Sequence, residues 1–249
     1  MKSVDYKYKD RKSKVEEILD NTDKVNEVDS FPRDEDFTYS NGYKAFASAI
    51  FVDLRDSTTL FTNQDDVEIA KVIRGFTSEV IEILRKNVEG NELKEIGIRG
   101  DCVFAVYSTP LKADIDEVAN RAFYINTYMK MLNELLKERS LPTIKAGIGL
   151  AVEKTLAVKA GRKSSGIHNL VWIGEAVAKA SKLSDLGNKD STKAVVMSKV
   201  FYDNYIDIDA NKEQAQWWTK AKDDNYGVYY HANIVMTDFN KWITDGMPD

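Results

Sequence analysis

The sequence predicts an α+β fold in which helices pack on one face of an antiparallel sheet. Between residues 43 and 153, short apolar runs alternate with two long amphipathic segments in the order β-α-β-β-α-β. Apolar runs of strand length favour buried strands, whereas apolar residues three or four positions apart favour helices. This order is that of the ferredoxin-like palm. Because many unrelated activities use this fold, it does not by itself indicate a function.

Each predicted element of this palm has its own local signal. The first run ends in consecutive β-forming residues, the hairpin turns at Gly100-Asp101, and the second helix has an acidic first turn and a basic last turn. The predicted elements are a strand within 43–54, a helix over 65–88, a hairpin over 91–108, a helix over 113–139 and a strand over 143–153.

The remaining third of the chain predicts shorter elements. A polar, glycine-containing stretch precedes a short strand, and Gly187 ends the helix that follows. In order, these elements are the polar stretch 159–169, a strand over 170–173, a helix over 175–186, a strand over 193–198 and a hairpin over 214–234.

The charge pattern divides the chain into an N-terminal extension, a main domain and a C-terminal tail. The extension, residues 1–42, is rich in charged residues and contains one short amphipathic segment, residues 12–21. It is interpreted either as a solvated tail or as an arm that stabilises a dimer. The main domain spans residues 43–235 and the tail residues 236–249, so we expect one large domain.

The composition excludes several classes of function. A formal net charge of −5 disfavours non-specific binding to nucleic acid or to anionic membranes. No apolar run approaches the roughly 20 residues of a membrane span, and the N-terminus lacks the apolar region of a signal peptide. One cysteine, Cys102, excludes an internal disulfide and fits a cytoplasmic location. The two histidines, His168 and His231, offer little material for a zinc site or a catalytic triad.

Two carboxylates occupy positions that favour metal binding. Asp53 ends an apolar strand, and Asp101 follows Gly100 at the tip of the predicted hairpin. A carboxylate at the end of a buried strand is costly unless a partner compensates its charge. Two carboxylates on neighbouring strands are able to hold hard divalent cations. For Asp53 alone, a cap of the turn before Ser57 is an equally good interpretation.

Four stretches together resemble the class III adenylate and guanylate cyclase family. FVDLRDSTTLF is similar to the family's first metal motif, and GIRGDCVFAVY to its second. AGIGLA and WIGEAVAKASKL are similar to the strand and the strand-to-helix element that follow. The resemblance implies a head-to-tail homodimer with active sites at the interface and two divalent cations, Mn²⁺ or Mg²⁺.

The resemblance also implies the roles of individual residues. Asp53 and Asp101, with Leu54, would hold the metals. The turn after Asp53 would wrap the triphosphate with backbone N–H groups, and Arg55 would either add charge or be an ordinary surface arginine. The residues of this turn are Leu54, Arg55, Asp56, Ser57 and Thr58.

The chain departs from the family at the transition-state positions. Lys182 stands where the family has arginine, and Ala178 where it has asparagine. Lysine keeps the charge but loses the bidentate fork, and alanine supplies no polar group. A solvated helix face is the alternative interpretation of Lys182. Lys220 and Lys222 in the last hairpin are candidates for a triphosphate-binding lysine, with an exposed hairpin turn as the alternative.

The base-reading positions carry neither purine pattern. Gly97 and Val171 stand where adenylate cyclases have lysine and an acidic residue or threonine. Arg99 shares a strand face with Gly97 and would donate to a pyrimidine carbonyl. Trp172 would either stack on the base or fill the core.

The absence of both purine patterns makes the chain similar to the pyrimidine cyclases of Pycsar anti-phage systems. The resemblance implies that UTP or CTP is converted to a cyclic monophosphate, which a separate effector protein reads. Two alternatives stay open: a purine cyclase with non-standard base recognition, and a degenerate, non-catalytic module that binds a nucleotide or a partner.

Overall fold

The computed structural model describes residues 6–21, 24–63, 65–162 and 167–248. The strands of this part of the chain are β1 (Lys24–Glu27), β2 (Asn41–Leu54), β3 (Leu93–Arg99), β4 (Cys102–Ser108), β5 (Ala146–Arg162), β6 (Ile167–Ile173), β7 (Val195–Ser198), β8 (Thr219–Asp223) and β9 (Gly227–Ala232). The α-helices are α1 (Tyr8–Asp20), α2 (Ser57–Asn63), α3 (Asp66–Arg85), α4 (Lys112–Glu138), α5 (Glu175–Ser184), α6 (Lys199–Ile206) and α7 (Thr237–Thr244). Two 3₁₀ helices, Asp34–Asp36 and Asp209–Trp217, complete the set within these residues.

The sheet confirms the predicted palm. Four strands, β3-β4-β2-β5, lie side by side in this order from one edge of the sheet, and each pairs with its neighbour in antiparallel fashion. The sheet continues through β7, β9 and β8, while β1 adds to β2 and β6 to β5. Because α3 lies between β2 and β3 in the chain, and α4 between β4 and β5, the β-α-β-β-α-β order is as predicted.

Side chains alternate along β2 between two cores. Ile50 and Val52 face the larger core, which α3 and α4 cover. Ala49 and Phe51 face the second core, where Ala176 of α5 packs against the sheet. Each large apolar side chain buried in this way contributes about 1.5–3 kcal/mol. Asp53 continues the alternation and therefore lies on the second face, the one that carries α5.

The N-terminal extension contributes to the sheet and to the second core. β1 pairs in parallel with the start of β2, and Phe31 and Phe37 are only 1% and 2% exposed. The Phe31 N–H donates to Ser108 Oγ at 3.0 Å. Residues 24–42 thus pack on the domain predicted to begin at residue 43, and a solvated tail does not describe them. By contrast, α1 buries none of its residues.

The chain departs from its predicted elements in two places. The strand predicted over residues 143–153 continues as β5 to Arg162 and pairs with β6. The polar stretch 159–169 was predicted to lie between two strands. Instead, its residues 159–162 extend β5 and its residues 167–169 belong to β6, because ladder pairing holds polar residues extended. Its residues 163–166 lie outside the described part. The second departure is that the last hairpin begins at Thr219, after the unpredicted α6 and a 3₁₀ helix.

The C-terminal segment packs on α4. The ring of Phe239 in α7 lies 6.4 Å from the ring of Tyr124, and the Lys130 ammonium donates to Asn240 Oδ1 at 2.8 Å. Among the described residues, no helix has both the length and the apolar character of a membrane span.

Candidate active site

The hairpin between β3 and β4 brings the two predicted carboxylates together. Asp53 pairs with Cys102, and Asp101 immediately precedes Cys102 in the hairpin turn. Gly100 has a φ of +63°, a backbone conformation that favours glycine at the first position of a two-residue turn. Because adjacent strands lie about 4.8 Å apart, this register places both carboxylates at one end of the sheet. Repulsion from Asp101 contributes to the raised pKa of Asp53.

Arg55 is an internal counter-ion of Asp53. Its guanidinium forms an ion pair with the Asp53 carboxylate and donates to the Asp185 carbonyl oxygen at 2.8 Å. The side chain is only 12% exposed, which excludes the interpretation as an ordinary surface arginine. Burial raises the pKa of Asp53, Arg55 lowers it, and the charges of Asp101 and Asp185 raise it further. In this balance, burial outweighs the attraction of the Arg55 guanidinium.

The donor set fits a hard divalent cation. Asp53 and Asp101 offer oxygen ligands, and Mg²⁺ is commonly bound by one or two carboxylates together with substrate phosphates. Over the described residues, no group of three or more His, Cys, Asp or Glu side chains could hold a metal. The pair therefore fits a site that phosphate oxygens and water complete. Leu54 is 4% exposed, so its side chain belongs to the core and only its backbone is available to a cation.

The turn after Asp53 leads directly into α2. Asp56 has a φ of +55°, and its carbonyl oxygen accepts from the Leu60 N–H at 3.1 Å. Asp56 and Thr58 are exposed, and Ser57 is half-buried. The predicted triphosphate-binding turn therefore lies at the surface, beside the carboxylate pair.

Cys102 lies between the two carboxylates and is not a nucleophile. Burial raises the pKa of its thiol to about 12, and the charges of Asp53 and Asp101 add to this increase. Since the thiolate is the reactive form, the neutral thiol that prevails at pH 7 is inert. Its role is to pack against the second core.

Alkylation of Cys102 by iodoacetamide at pH 8 is expected to be slow in the folded protein. A pKa of about 12 in place of 9 lowers the thiolate fraction on the order of 10³-fold. The reaction should accelerate steadily as the pH rises above 8, and at pH 8 the unfolded protein should react far faster. Mass spectrometry measures the labelled fraction over time. A folded protein that is labelled as rapidly as free cysteine would contradict the raised pKa.

The predicted base-reading strand carries an unpredicted aromatic residue. Gly97 pairs with Phe104 and Arg99 with Cys102, so both side-chain positions face the second core, as expected for residues two apart. A Cβ atom at position 97 would lie 2.5 Å from Cζ of Phe104. The Arg99 guanidinium lies over the same ring, 5.0 Å from its centroid. Sequence reasoning missed Phe104 because an apolar residue in a strand gives no sign of which neighbour it covers.

Trp172 forms its contacts within the chain. Its indole N–H donates to Glu95 Oε2 at 2.6 Å, and the Phe31 ring meets it edge-on at 5.1 Å. Trp172 therefore fills the second core and also links β6 to β3. Glu95, two residues before Gly97, is a second polar residue on this face that the sequence did not single out. Val171, adjacent to Trp172, is 41% exposed and lies on the opposite face of β6.

Two glycines allow α5 to approach the carboxylate pair. A Cβ atom at Gly147 would collide with the carbonyl oxygen of Ser184, and one at Gly149 with that of Ala180. Gly147 pairs with Asp53 across β2 and β5. The AGIGLA strand thus needs glycine for close packing, and the end of α5 lies beside Asp53.

The predicted transition-state and phosphate lysines point away from the carboxylate pair. Lys182 and Ala178 are exposed on α5, and the Lys182 ammonium lies 5.9 Å from the ring centroid of Tyr226 in the β8–β9 turn. The β8–β9 hairpin forms one edge of the sheet, and β3 and β4 form the opposite edge. Lys220 and Lys222 lie on the face of β8 opposite to Ala221, which packs beside α5. The structure therefore does not bring these lysines to Asp53 within the chain.

Two curated relatives identify the family of this chain. A uridylate cyclase of Treponema porcinum is 42% identical over 244 residues, which cover 98% of this chain and 83% of the relative. The chain belongs to the uridylate cyclase family. A second uridylate cyclase, from Gulbenkiania mobilis, is 31% identical over 241 residues and 92% of each chain. No model of a known protein family matches the sequence.

Solved structures confirm the class III cyclase fold of this uridylate cyclase family member. A bacterial light-regulated adenylyl cyclase superposes with a TM-score of 0.60 at 19% identity, over 81% of this chain and 98% of the other. A class III adenylyl cyclase-like ATP-binding protein from Pseudomonas aeruginosa gives a TM-score of 0.63 at 15% identity. That match covers 93% of this chain and 48% of the other. The predicted resemblance is thereby confirmed.

Proposed function

We propose that this protein is a pyrimidine nucleotide cyclase that converts UTP to 3′,5′-cyclic UMP and pyrophosphate. The observation that carries the proposal is the Asp53–Asp101 pair, held by the β2–β4 register in a chain of the uridylate cyclase family. Neighbouring carboxylates with one internal counter-ion suit a substrate that arrives with divalent cations and phosphates. The relatives named as uridylate cyclases favour UTP over CTP.

The reaction is an intramolecular displacement at the α-phosphorus. The 3′-hydroxyl oxygen bonds to the α-phosphorus, its proton passes to water, and the bond to the bridging oxygen of the β-phosphate breaks. Pyrophosphate leaves with that electron pair. Two divalent cations, Mn²⁺ or Mg²⁺, held by Asp53, Asp101 and the backbone of Leu54, would activate the attacking oxygen and stabilise the leaving one.

Arg55 is proposed to exchange its ion pair with Asp53 for a contact with the triphosphate when the substrate binds. Its guanidinium is paired with the Asp53 carboxylate. A cation at Asp53 would compete for the same oxygens and release the guanidinium toward the adjacent phosphate. The exposed turn from Leu54 to Thr58 would supply backbone N–H donors to the same group. Arginine suits this exchange because its planar fork binds carboxylates and phosphates alike.

A head-to-tail homodimer is proposed to complete each site. Lys182 lies near Tyr226 of the β8–β9 turn, whereas the carboxylate pair lies toward the β3–β4 edge of the sheet. Ala178 is exposed on the same helix as Lys182. A second copy in inverse orientation would bring one protomer's Lys182 to the other's substrate. Lys220 and Lys222 of one protomer are likewise proposed to contact the triphosphate bound to the other protomer.

UTP is expected to be the preferred substrate, with ATP and GTP poor. Gly97 and Val171 offer no polar side chain to a purine edge, whereas Arg99 would donate to a pyrimidine carbonyl. A donor that the bound base covers and leaves unpaired costs about 1–3 kcal/mol, which corresponds to roughly one to two decades in kcat/KM. The test supplies all four nucleoside triphosphates with Mn²⁺ and identifies the products by mass spectrometry. Preferred turnover of ATP or GTP would overturn the pyrimidine assignment.

The cyclic nucleotide is proposed to act as a defence signal that a separate effector protein reads. The support for this role is the similarity to Pycsar cyclases in the pattern of base-reading positions. Ala178, which supplies no polar group, favours the second candidate, a non-catalytic nucleotide-binding module. Turnover of any nucleotide in the same four-substrate assay excludes that candidate.

A further inference from the structure

Phe104 occupies the space above Gly97 on the proposed base-reading strand. Its ring is 4% exposed and stacks on Phe51, with the ring centroids 5.0 Å apart and the planes inclined by 13°. The ring leans across the β3–β4 pairing, so that a Cβ atom at position 97 would lie 2.5 Å from Cζ. Real Cβ atoms essentially never come this close to another heavy atom. No side chain fits at position 97 unless the Phe104 ring moves.

The same ring supports Arg99. The guanidinium lies 5.0 Å from the ring centroid, within the range of a cation–π interaction. Arg99 is exposed at the end of β3, so its donors face outward while the ring lies beneath them. Phe104 therefore leaves no room for a side chain at position 97, and its ring also positions Arg99, the remaining donor on this strand.

We propose that Phe104 is the residue that sets the size of the base in this enzyme, with Gly97 as its obligate partner. This inference rests on the proposed function, which places the base against the face of β3 that carries Gly97 and Arg99. The phenyl ring takes up volume that the second ring of a purine, or a side chain that reads it, would need. A pyrimidine lacks that second ring and fits above Phe104.

Phe104 acts through shape, since a phenyl ring has no polar group that could bind a phosphate or ligate a cation. It is a specificity-determining residue, and its removal should change the ratio of substrates more than the rate of phosphoryl transfer. A purely structural role would lower the activity with all nucleotides by the same factor. The ratio of kcat/KM for UTP to that for ATP separates the two roles.

The experiment compares Phe104→Leu and Phe104→Ala with the unchanged protein on UTP and ATP. We expect the UTP/ATP ratio of kcat/KM to fall at least about tenfold in Phe104→Ala and by a smaller factor in Phe104→Leu. Val106→Ala is the matched control, because Val106 lies two residues along the same strand and face and is fully buried. That control should lower stability and leave the ratio within about twofold.

A second pair of variants tests the coupling between the two positions. Gly97→Ala alone should reduce turnover of UTP and lower the thermal midpoint, because its Cβ displaces the ring. In the double variant Gly97→Ala/Phe104→Leu, the clash should be relieved and part of the lost stability regained. Additive losses in the double variant would overturn the proposed coupling.

The outcomes separate this inference from the function on which it rests. If the unchanged protein prefers ATP or GTP, the pyrimidine assignment fails and this inference fails with it. If it prefers UTP and the Phe104 variants keep that ratio within about twofold, only the role of Phe104 is overturned. Should Phe104→Ala fail to fold, Phe104→Leu decides the result, since it retains most of the apolar volume.

Discussion

Asp53→Asn and Asp101→Asn are each expected to lower kcat by at least about 10³-fold, which corresponds to about 4 kcal/mol in the activation free energy. Each substitution replaces a charged ligand by a neutral amide of the same shape and so removes the attraction for the cations that the reaction requires. The measurement is the rate of cyclic nucleotide formation from UTP in saturating Mn²⁺.

The fold should survive both substitutions. Burial already raises the pKa of Asp53, so the charged form is not a source of stability at neutral pH. We expect thermal midpoints within about 4 °C of the unchanged protein. Asp209→Asn is the control, because Asp209 is almost fully exposed and pairs with the exposed Lys212. Near-native turnover by either site variant would show that the cations bind elsewhere.

Equimolar mixing of two inactive variants is expected to restore about a quarter of the original activity. Asp101→Asn removes a cation ligand, and Lys182→Ala removes the charge proposed to act from the other protomer. In a mixed head-to-tail dimer, one site carries both defects and the other carries neither. Half of the dimers are mixed after random exchange, and half of their sites are intact. The assay follows product formation over time as subunits exchange.

A control mixture makes this result specific. Asp101→Asn mixed with Asp53→Asn should stay inactive, because every mixed site then lacks one carboxylate. The exchange itself is measured with subunits that carry different fluorophores. If exchange is complete and each single variant is defective, absence of recovery in the Asp101→Asn/Lys182→Ala mixture would show that each protomer holds a whole site.

Local sequence signals determined the palm and the carboxylate pair. The α3 prediction over residues 65–88 matches a helix over Asp66–Arg85, because apolar spacing and the Asp65 cap act within a few residues. The hairpin could equally be predicted from the sequence, because Gly100-Asp101 between two strand-like runs indicates a turn. The positive φ of Gly100 in the structure agrees with that turn. Once strand, hairpin and chain order are known, antiparallel pairing leaves little freedom for where Asp53 and Asp101 meet.

Several predictions failed or stayed open because they depended on contacts between distant parts of the chain. The strand was predicted to end at residue 153, whereas pairing with β6 extends β5 to Arg162. The burial of Phe31 was equally hidden, because its partner Trp172 lies more than a hundred residues away in the sequence. The charge and polarity of a segment indicate how favourably it is solvated, but they do not predict which strand will pair with it.

What the sequence by itself determined was the set of groups that can do chemistry: two carboxylates at strand ends, an arginine after the first of them, and a glycine where adenylate cyclases have a lysine. Only the tertiary structure decided the state of those groups. It placed the Arg55 guanidinium on Asp53, set Trp172 against Glu95 and laid the Phe104 ring over Gly97. The physical reason is that a residue's type fixes its charge, size and hydrogen-bonding capacity, whereas burial and partners, which set pKa and accessible space, arise only when β2, β3, β4 and β6 come together.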